Sequence, residues 1–263
     1  MAKPKILLLD IETAPKLVYC WGLFKQNIGL NQIVSDMYVL CWAAKWAGDE
    51  YMYSDSLHYH KQAWAKDPEN DLHILKSIWK MMDEADYVVA HNVKFDVPTL
   101  NSRFLQMGMK PPSSFKTIDT LQIAKSNFRF TSNKLQFLAD KLTDDAKMDP
   151  GGFSTWMKIC RYQDTAAFDT MMEYNCQDVW VLEEVYNILK PWAKTHPSLP
   201  VSGDLSTMRC NVCESTSIKK NGHYNTQTQK YQKFRCNDCG HSMRSRSPVK
   251  TTKEQKNNLL RSI

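Results

Sequence analysis

Long hydrophobic runs are missing from this sequence. The longest near its start, ILLL at 6–9, meets Asp10 at once, far short of the roughly 20 apolar residues that a helical span requires. A secretory leader is also not expected from so short a run, so the sequence reads as a cytoplasmic protein with no membrane partner. Internal repeats and low-complexity tracts are absent as well, which leaves solenoid and fibrous classes without support. What is present is ordinary globular composition: 263 residues, 43% hydrophobic and 24% charged, enough for one sizeable core and a smaller appendage.

Charge divides the chain unevenly. Residues 1–203 hold 22 basic against 24 acidic side chains, whereas 204–263 hold 12 against 4. An acidic larger part and a basic tail suggest a division between chemistry and contact with a polyanion. Between them PWAKTHPSLPVSGD has three prolines and a glycine, a composition that cannot continue a helix. The expected domains are therefore 1–190, a linker at 191–205, a cysteine module at 206–248 and a polar tail at 249–263 without regular structure.

Hydrophobic patterning gives a coarse α/β reading. KILLLDIE (5–12) is a buried strand, and YVLCWAAKWA (38–47) with EYMYSD (50–55) forms a hairpin across Gly48-Asp49. DLHILKSIWKMMDEA (71–85) repeats apolar residues at helical spacing, and DYVVAHN (86–92) is a second apolar strand. A helix over 96–107 ends at Gly108, a short strand or turn covers 116–119, and helices follow near 119–126 and 134–142. Two further helical stretches are expected around 164–190. Strands followed by helices alternating with strands indicate a sheet with helices on its faces.

Acids stand at the strand ends. Asp10 and Glu12 are two apart, so the pleat directs both carboxylates to one side. Like charges at that spacing repel unless a cation lies between them, and Mg²⁺ favours such oxygen ligands; a strand running into a polar turn is the plain alternative. In AHNVKFD (90–96) Asp96 opens a helix, either as a capping group or as a second acid site. Asn92 is a turn candidate there, and His91 reads as a satisfied structural histidine. In EYNCQD (173–178), Tyr174 and Asp178 lie four apart on one helix face. Three separate elements contributing carboxylates is what a two-metal phosphodiester site needs.

D-I-E-T at 10–13, H-N-x-x-x-D at 91–96 and Y-x-x-x-D at 174–178 resemble, in order and separation, the three motifs of the DEDD superfamily of exonucleases, which includes the proofreading domains of DNA polymerases. The similarity spans roughly residues 5–190 and points to stand-alone, often virus-encoded relatives of the family B polymerase exonuclease domain. It implies a ribonuclease H-like mixed sheet flanked by helices and a 3′→5′ exonuclease using two Mg²⁺ or Mn²⁺. By the same resemblance Asp10 bridges both ions, Glu12 and Asp178 complete one shell, and Asp96 serves the other. Tyr174, with Glu12, would orient the attacking water, Asn92 would position the substrate strand, and Phe95 would pack beneath the site. The subtype with histidine five residues before the last acid has Glu173 here, so the tyrosine subtype is implied. Asp119 resembles a recurrent acidic position but reads more simply as an N-cap, and 16–36, where substrate-end contacts are expected, has no assignable residue.

Cys20, Cys41, Cys160 and Cys176 are scattered, but Cys210, Cys213, Cys236 and Cys239 form two C-x-x-C pairs with 22 residues between the inner cysteines. That spacing fits four thiolates around one structural Zn²⁺, with KKNGHYNTQTQKYQKF between them as the hairpin of a zinc ribbon; a redox dithiol is the alternative. His241 is a possible substitute ligand. Lys219, Lys220, Lys230, Lys233 and Arg235 lie on this hairpin among Tyr224, Tyr231 and Phe234, and this mixture favours nucleic-acid contact. The expected partner is single-stranded DNA or a DNA 3′ end, with a replication or repair protein as a further candidate. Two other readings stand beside this one: an exoribonuclease with the same acids, and an inert nucleic-acid-binding protein.

Overall fold

The structure, a computed structural model, describes residues 3–144, 152–202 and 206–260. Part of the expected linker (203–205) and the end of the tail (261–263) therefore lie outside the described residues. Two compact units divide the chain, Lys5–Ile188 and Leu189–Ile263 with Met1–Pro4.

In the larger unit the elements run β1 (Ile6–Thr13), β2 (Leu17–Val18), β3 (Ile33–Ser35), β4 (Val39–Trp46), β5 (Tyr53–Ser56), α1 (Lys61–Lys66), α2 (Leu72–Glu84), β6 (Tyr87–Ala90), α3 (Val93–Gln106), β7 (Lys116–Asp119), α4 (Thr120–Asn127), α5 (Leu135–Leu142), α6 (Phe153–Tyr162) and α7 (Thr165–Leu189). Five strands make one mixed sheet in the order β5-β4-β1-β6-β7. The hairpin β4–β5 turns through Gly48, whose φ of 84° an L side chain rarely adopts. β1 runs antiparallel to β4 and parallel to β6, and β6 runs parallel to β7. Being central, β1 is hydrogen-bonded on both sides.

Alternation along β1 separates two faces. Leu7, Leu9 and Ile11 pair with Trp46, Ala44 and Trp42 and join a core with Ile74, Leu75, Ile78 and Met82 of α2 and Leu100 and Phe104 of α3. The Trp42 Nε1–H donates to the Ile74 carbonyl at 2.9 Å, so α2 lies over this face. Each such side chain removed from water contributes roughly 1.5–3 kcal/mol. Leu8, Asp10 and Glu12 point the other way, beside Lys45, Ala43 and Cys41. Helix α7 covers that face: Lys45, almost fully buried, pairs with Glu183 and stacks on the Trp180 ring at 3.6 Å. Glu183 also accepts the Gly48 N–H at 2.7 Å, which fixes the register of the helix on the sheet.

The expected strands at 5–12, 38–55 and 86–92 are present, and so are the helices over 71–85, 119–126 and 134–142. One element differs. The region 164–190 is a single helix, α7, rather than two stretches, because Phe168, Met171, Met172, Val179, Leu182 and Val185 continue the buried stripe through its polar middle. The break comes earlier, at Gln163, whose φ of 51° closes α6.

The smaller unit holds a three-stranded sheet in the order β10-β9-β8, made from β8 (Ile218–Asn225), β9 (Lys230–Cys236) and β10 (Ser242–Arg244). A bulge between Lys220 and His223 is formed around Gly222 at φ 69°. The tail, expected to lack regular structure, instead forms a short helix, α8 (Lys253–Asn257), because Thr252 and Gln255 make a capping box at its start.

Candidate active site and metal centre

Carboxylates converge where β1, the start of α3 and the middle of α7 meet. Asp10 is held well above the usual carboxylate range, by burial first and then by the charges of Asp96, Glu12 and Asp178. Burial, followed by Asp178 and Asp96, pushes Glu12 up to about 8. Asp96, 3% exposed, is raised by burial to about 7 although its own backbone N–H and that of Ile11 donate to it and oppose the rise. Burial raises Asp178 to about 6 against the opposing hydrogen bond from Tyr174. The four acids that the sequence set apart are thus brought within electrostatic reach of one another.

Each arrives there for a local reason. The pleat of β1 places Asp10 and Glu12 on the α7 face. Asp96 lies in the first turn of α3, where the helix dipole favours an anion. Tyr174 and Asp178 are one helical turn apart on α7, and the tyrosine hydroxyl donates to the carboxylate; burial and this acid neighbour drive the phenol far above its ordinary pKa.

One neighbour was missed in the sequence. Asn175 is fully buried and its Nδ2–H donates to Asp10 Oδ2 at 2.6 Å, while its Oδ1 is buried without a hydrogen-bond partner. An asparagine inside a long helix, where its propensity is poor, is the signal that could have found it. Asp119 caps α4 as expected, accepting Gln122 N–H at 3.2 Å, and also accepts Asn92 N–H at 3.1 Å. Its second oxygen is buried without a hydrogen-bond partner, and its charge raises Asp96.

Asn92 is exposed and left-handed at φ 77°, with no side-chain cap bond, so its amide faces solvent at the start of α3. His91 is structural: its Nδ1 pairs with Thr120 Oγ1 at 2.9 Å and its Nε2 with the Asn133 carbonyl at 2.8 Å. Phe95 corrects an expectation. It is 41% exposed rather than packed beneath the site, because Val93, Asp96, Val97 and Leu100 take the inward face of α3.

These acids suit hard divalent cations. Buried carboxylates that raise one another's pKa, beside acceptor oxygens on Asn175 and Asp119 that lack hydrogen-bond partners, form an all-oxygen donor set short of positive charge. No three of the carboxylates bring ligand atoms within 4.8 Å of one another among the described residues, so their side chains would have to close in to share an ion with bonds of about 2.1 Å.

The cysteine quartet is tighter. The sulfurs of Cys210, Cys213, Cys236 and Cys239 all lie within 4.8 Å of one another, with Cys210–Cys239 at 3.7 Å and Cys213–Cys236 at 3.6 Å. A tetrahedral ZnS₄ shell with bonds of about 2.3 Å has edges of about 3.8 Å, so the sulfurs stand where zinc would need them. Backbone N–H groups of Cys213 and Val212 aim at Cys210. At Cys236 burial raises the thiol, but the N–H groups of Cys239 and Asp238 and the neighbouring sulfurs outweigh it and leave it at about 7. His241 stands outside the quartet: its Nδ1 pairs with the Pro191 carbonyl at 2.7 Å.

Strand register sorts the five candidate cations of the ribbon. Lys219 pairs with Arg235 and Lys233 with Arg244, so Lys219, Lys233, Arg235 and Arg244 share a face with Tyr224 and Tyr231. The Arg244 guanidinium lies 4.0 Å from the Tyr231 ring centre. Lys220 and Lys230 fall on the opposite face, with Phe234 and Met243.

A mixed five-stranded sheet with carboxylates at its central strand and on the covering helix defines an RNase H-like architecture, a fold of nucleic-acid hydrolases that use divalent metals. Residues 48–190, just over half of the chain, match the family described as the RNase_H superfamily, and the chain belongs to that superfamily. The matched span includes Asp96, Tyr174 and Asp178 and begins after β1. No individual curated protein matches the chain. Among the described residues no helix is long and apolar enough to cross a membrane.

Proposed function

We propose that the chain is a 3′→5′ exonuclease of the tyrosine DEDD subtype, acting on DNA ends and releasing nucleoside monophosphates, with a zinc ribbon that holds nucleic acid. One observation carries the reading: Asp10, Glu12, Asp96 and Asp178 crowd together at the cost of their own ionisation, with the Tyr174 hydroxyl fixed on Asp178. Nothing in packing requires four acids there.

In this reading Asp10, Glu12 and Asp178 would hold one Mg²⁺ or Mn²⁺, and Asp10 and Asp96 a second. Bound there, the ions supply an activated water and neutralise charge on the phosphate. Tyr174 and Glu12 orient the water, Tyr174 through a hydroxyl whose direction Asp178 sets. Asn175 keeps Asp10 Oδ2 in place, and Asn92 steadies the strand. Cys210, Cys213, Cys236 and Cys239 hold Zn²⁺, and Lys219, Lys233 and Arg235 offer charge to phosphates, with Lys220 and Lys230 contributing from the other face.

The test compares single-stranded DNA, duplex DNA and RNA, each labelled at one end or the other, with Mg²⁺ or Mn²⁺. Mononucleotides released stepwise from the 3′ end of DNA are expected. Faster degradation of RNA would replace DNA with RNA as substrate, and internal cuts or no hydrolysis would overturn the exonuclease reading.

A further inference from the structure

The ribbon face that carries Phe234 and Met243 opens into a cleft of about 760 Å³, bordered by residues 194–198 and 208–211. That volume is ordinary for a site that holds a small molecule. Two polar groups in it lack donors. Asn211 Oδ1 is buried without a hydrogen-bond partner. His241, 8% exposed, also lines the cleft, and its Nδ1 is engaged by the Pro191 carbonyl at 2.7 Å. A carbonyl only accepts, so Nδ1 carries the proton and Nε2 of the neutral ring is a second acceptor. Both residues are held by their backbones: the Asn211 carbonyl accepts Leu199 N–H and the His241 carbonyl accepts Cys236 N–H, each at 3.0 Å. A buried acceptor without a donor costs stability, which a donating ligand recovers.

Charge narrows the ligand further. Lys194, Arg209 and Arg246 stand exposed at the border of the cleft, and among the described residues no carboxylate lines it. Half-buried Phe234 and Met243 give it an apolar wall. An occupant that is anionic, has a flat apolar body and brings hydrogen-bond donors is a nucleotide. Among the bases, thymine and uracil set their single N–H between two carbonyl oxygens, which would face the two acceptors. Adenine and cytosine set their amine beside an accepting ring nitrogen. Guanine alone presents two adjacent donors, N1–H and the N2 amine.

We infer that this cleft is a base pocket that takes a guanine nucleotide of the bound nucleic acid, with its donor edge on Asn211 and His241, its ring against Phe234 and its phosphate among Lys194, Arg209 and Arg246. The inference deepens the reading of the ribbon as a nucleic-acid grip and rests on it. Phosphates carry no sequence information, so the cationic hairpin face cannot choose among strands, whereas the cleft can.

The experiment uses the full chain with Asp178→Ala and measures equilibrium binding of a labelled oligothymidine carrying one central guanine, hypoxanthine or adenine. Hypoxanthine differs from guanine only by lacking the N2 amine. The guanine strand should bind roughly fivefold to a hundredfold more tightly than either of the others. Asn211→Leu should remove that preference with zinc still bound, as metal analysis would show. A further measurement leaves the cleft unmutated: 6-thioguanine at the same position keeps both donors, and its photo-crosslink should map to Phe234, Met243 or the 208–211 loop. Equal binding of the three strands, or a crosslink to Tyr224 or Tyr231 on the other face, would overturn the pocket. Displacement of the strand by an acidic peptide but not by deoxyguanosine monophosphate would overturn it too, since the cleft would then dock a protein. Strand binding without a guanine preference sinks the pocket and leaves the grip, and failure to bind any strand sinks both. Hydrolysis by the unmutated chain is scored separately, so a guanine preference without cleavage sinks the exonuclease alone.

Discussion

Tyr174 and Asn175 are adjacent in sequence and address different acids: the phenol donates to Asp178 and the amide to Asp10. Their variants should separate accordingly. Tyr174→Phe removes a hydroxyl without removing a metal ligand, and should slow single-turnover cleavage about tenfold to a thousandfold, by analogy with loss of one positioned donor. Asn175→Ala frees Asp10 to rotate, and the expected loss is about ten- to a hundredfold in apparent metal affinity, measured by titrating Mn²⁺ against activity. Asp10→Ala or Asp178→Ala should abolish cleavage with the circular dichroism spectrum unchanged. The raised acids also predict a pH dependence. Because Glu12, Asp96 and Asp178 bind protons more tightly folded than unfolded, their contribution is fully present below about pH 4 and is lost as pH rises through about 6 to 8. Metal-free protein should therefore lose stability across that window in urea titrations, and Mg²⁺ should restore most of it at the upper end.

At the level of elements, two buried ion pairs fix the pieces that carry the acids. Lys45 and Glu183 lock α7 to β4. Asp71, with no exposed surface, accepts two N–H groups of Arg103 at 2.8 and 2.9 Å and that of Val39 at 2.9 Å, so α3 is tied to the strand bordering β1. Removing one partner strands the other, and Asp71→Ala should cost about 3–5 kcal/mol in denaturant unfolding. Much of this frame was legible beforehand: the 38–55 hairpin announced itself by Gly48-Asp49, and α2 by its apolar spacing. The continuity of α7 was not, because the polar stretch EYNCQD interrupts the pattern where the helix crosses from hydrophobic core to carboxylates. Nor was the outward turn of Phe95, since an aromatic ring in an apolar run reads as core until the helix phase is known. Alternation along β1 gave the shared face of Asp10 and Glu12, but the helix facing them is set by sheet order, which no local pattern encodes. Residues 16–36 have no periodicity because few of them are buried.

Across the whole molecule, the larger unit holds 24 acidic against 19 basic side chains and the smaller one 4 against 15. Zinc should account for most of the ribbon's folding, because among the described residues its buried apolar side chains beside the cysteines are Val212 and Tyr231, with Met243 packed against them in part, while metal binding is worth ~10–16 kcal/mol. Cys236→Ser with Cys239→Ser should unfold the ribbon while the melting of the larger unit is retained, as calorimetry would show. If the folded ribbon neutralises about four phosphates, ending the chain near residue 203 should flatten the slope of log affinity against log salt by roughly 3 for single strands. An unchanged slope would assign the basic face to another partner.

The acids come from the first strand and the last helix of their unit, Asp10 on β1 and Asp178 on α7, and this has a consequence during synthesis. A ribosome that has made β1, the hairpin and α3 has made a sheet with three acids but no Asp178, Tyr174 or Asn175. At ~5–20 residues per second, the stretch from Asp96 to Asp178 takes several seconds more, and until α7 has left the exit tunnel the site stays unfinished. If the proposed exonuclease site is the working one, nascent chains and fragments from translation aborted before α7 should be harmless to the nucleic acid around them.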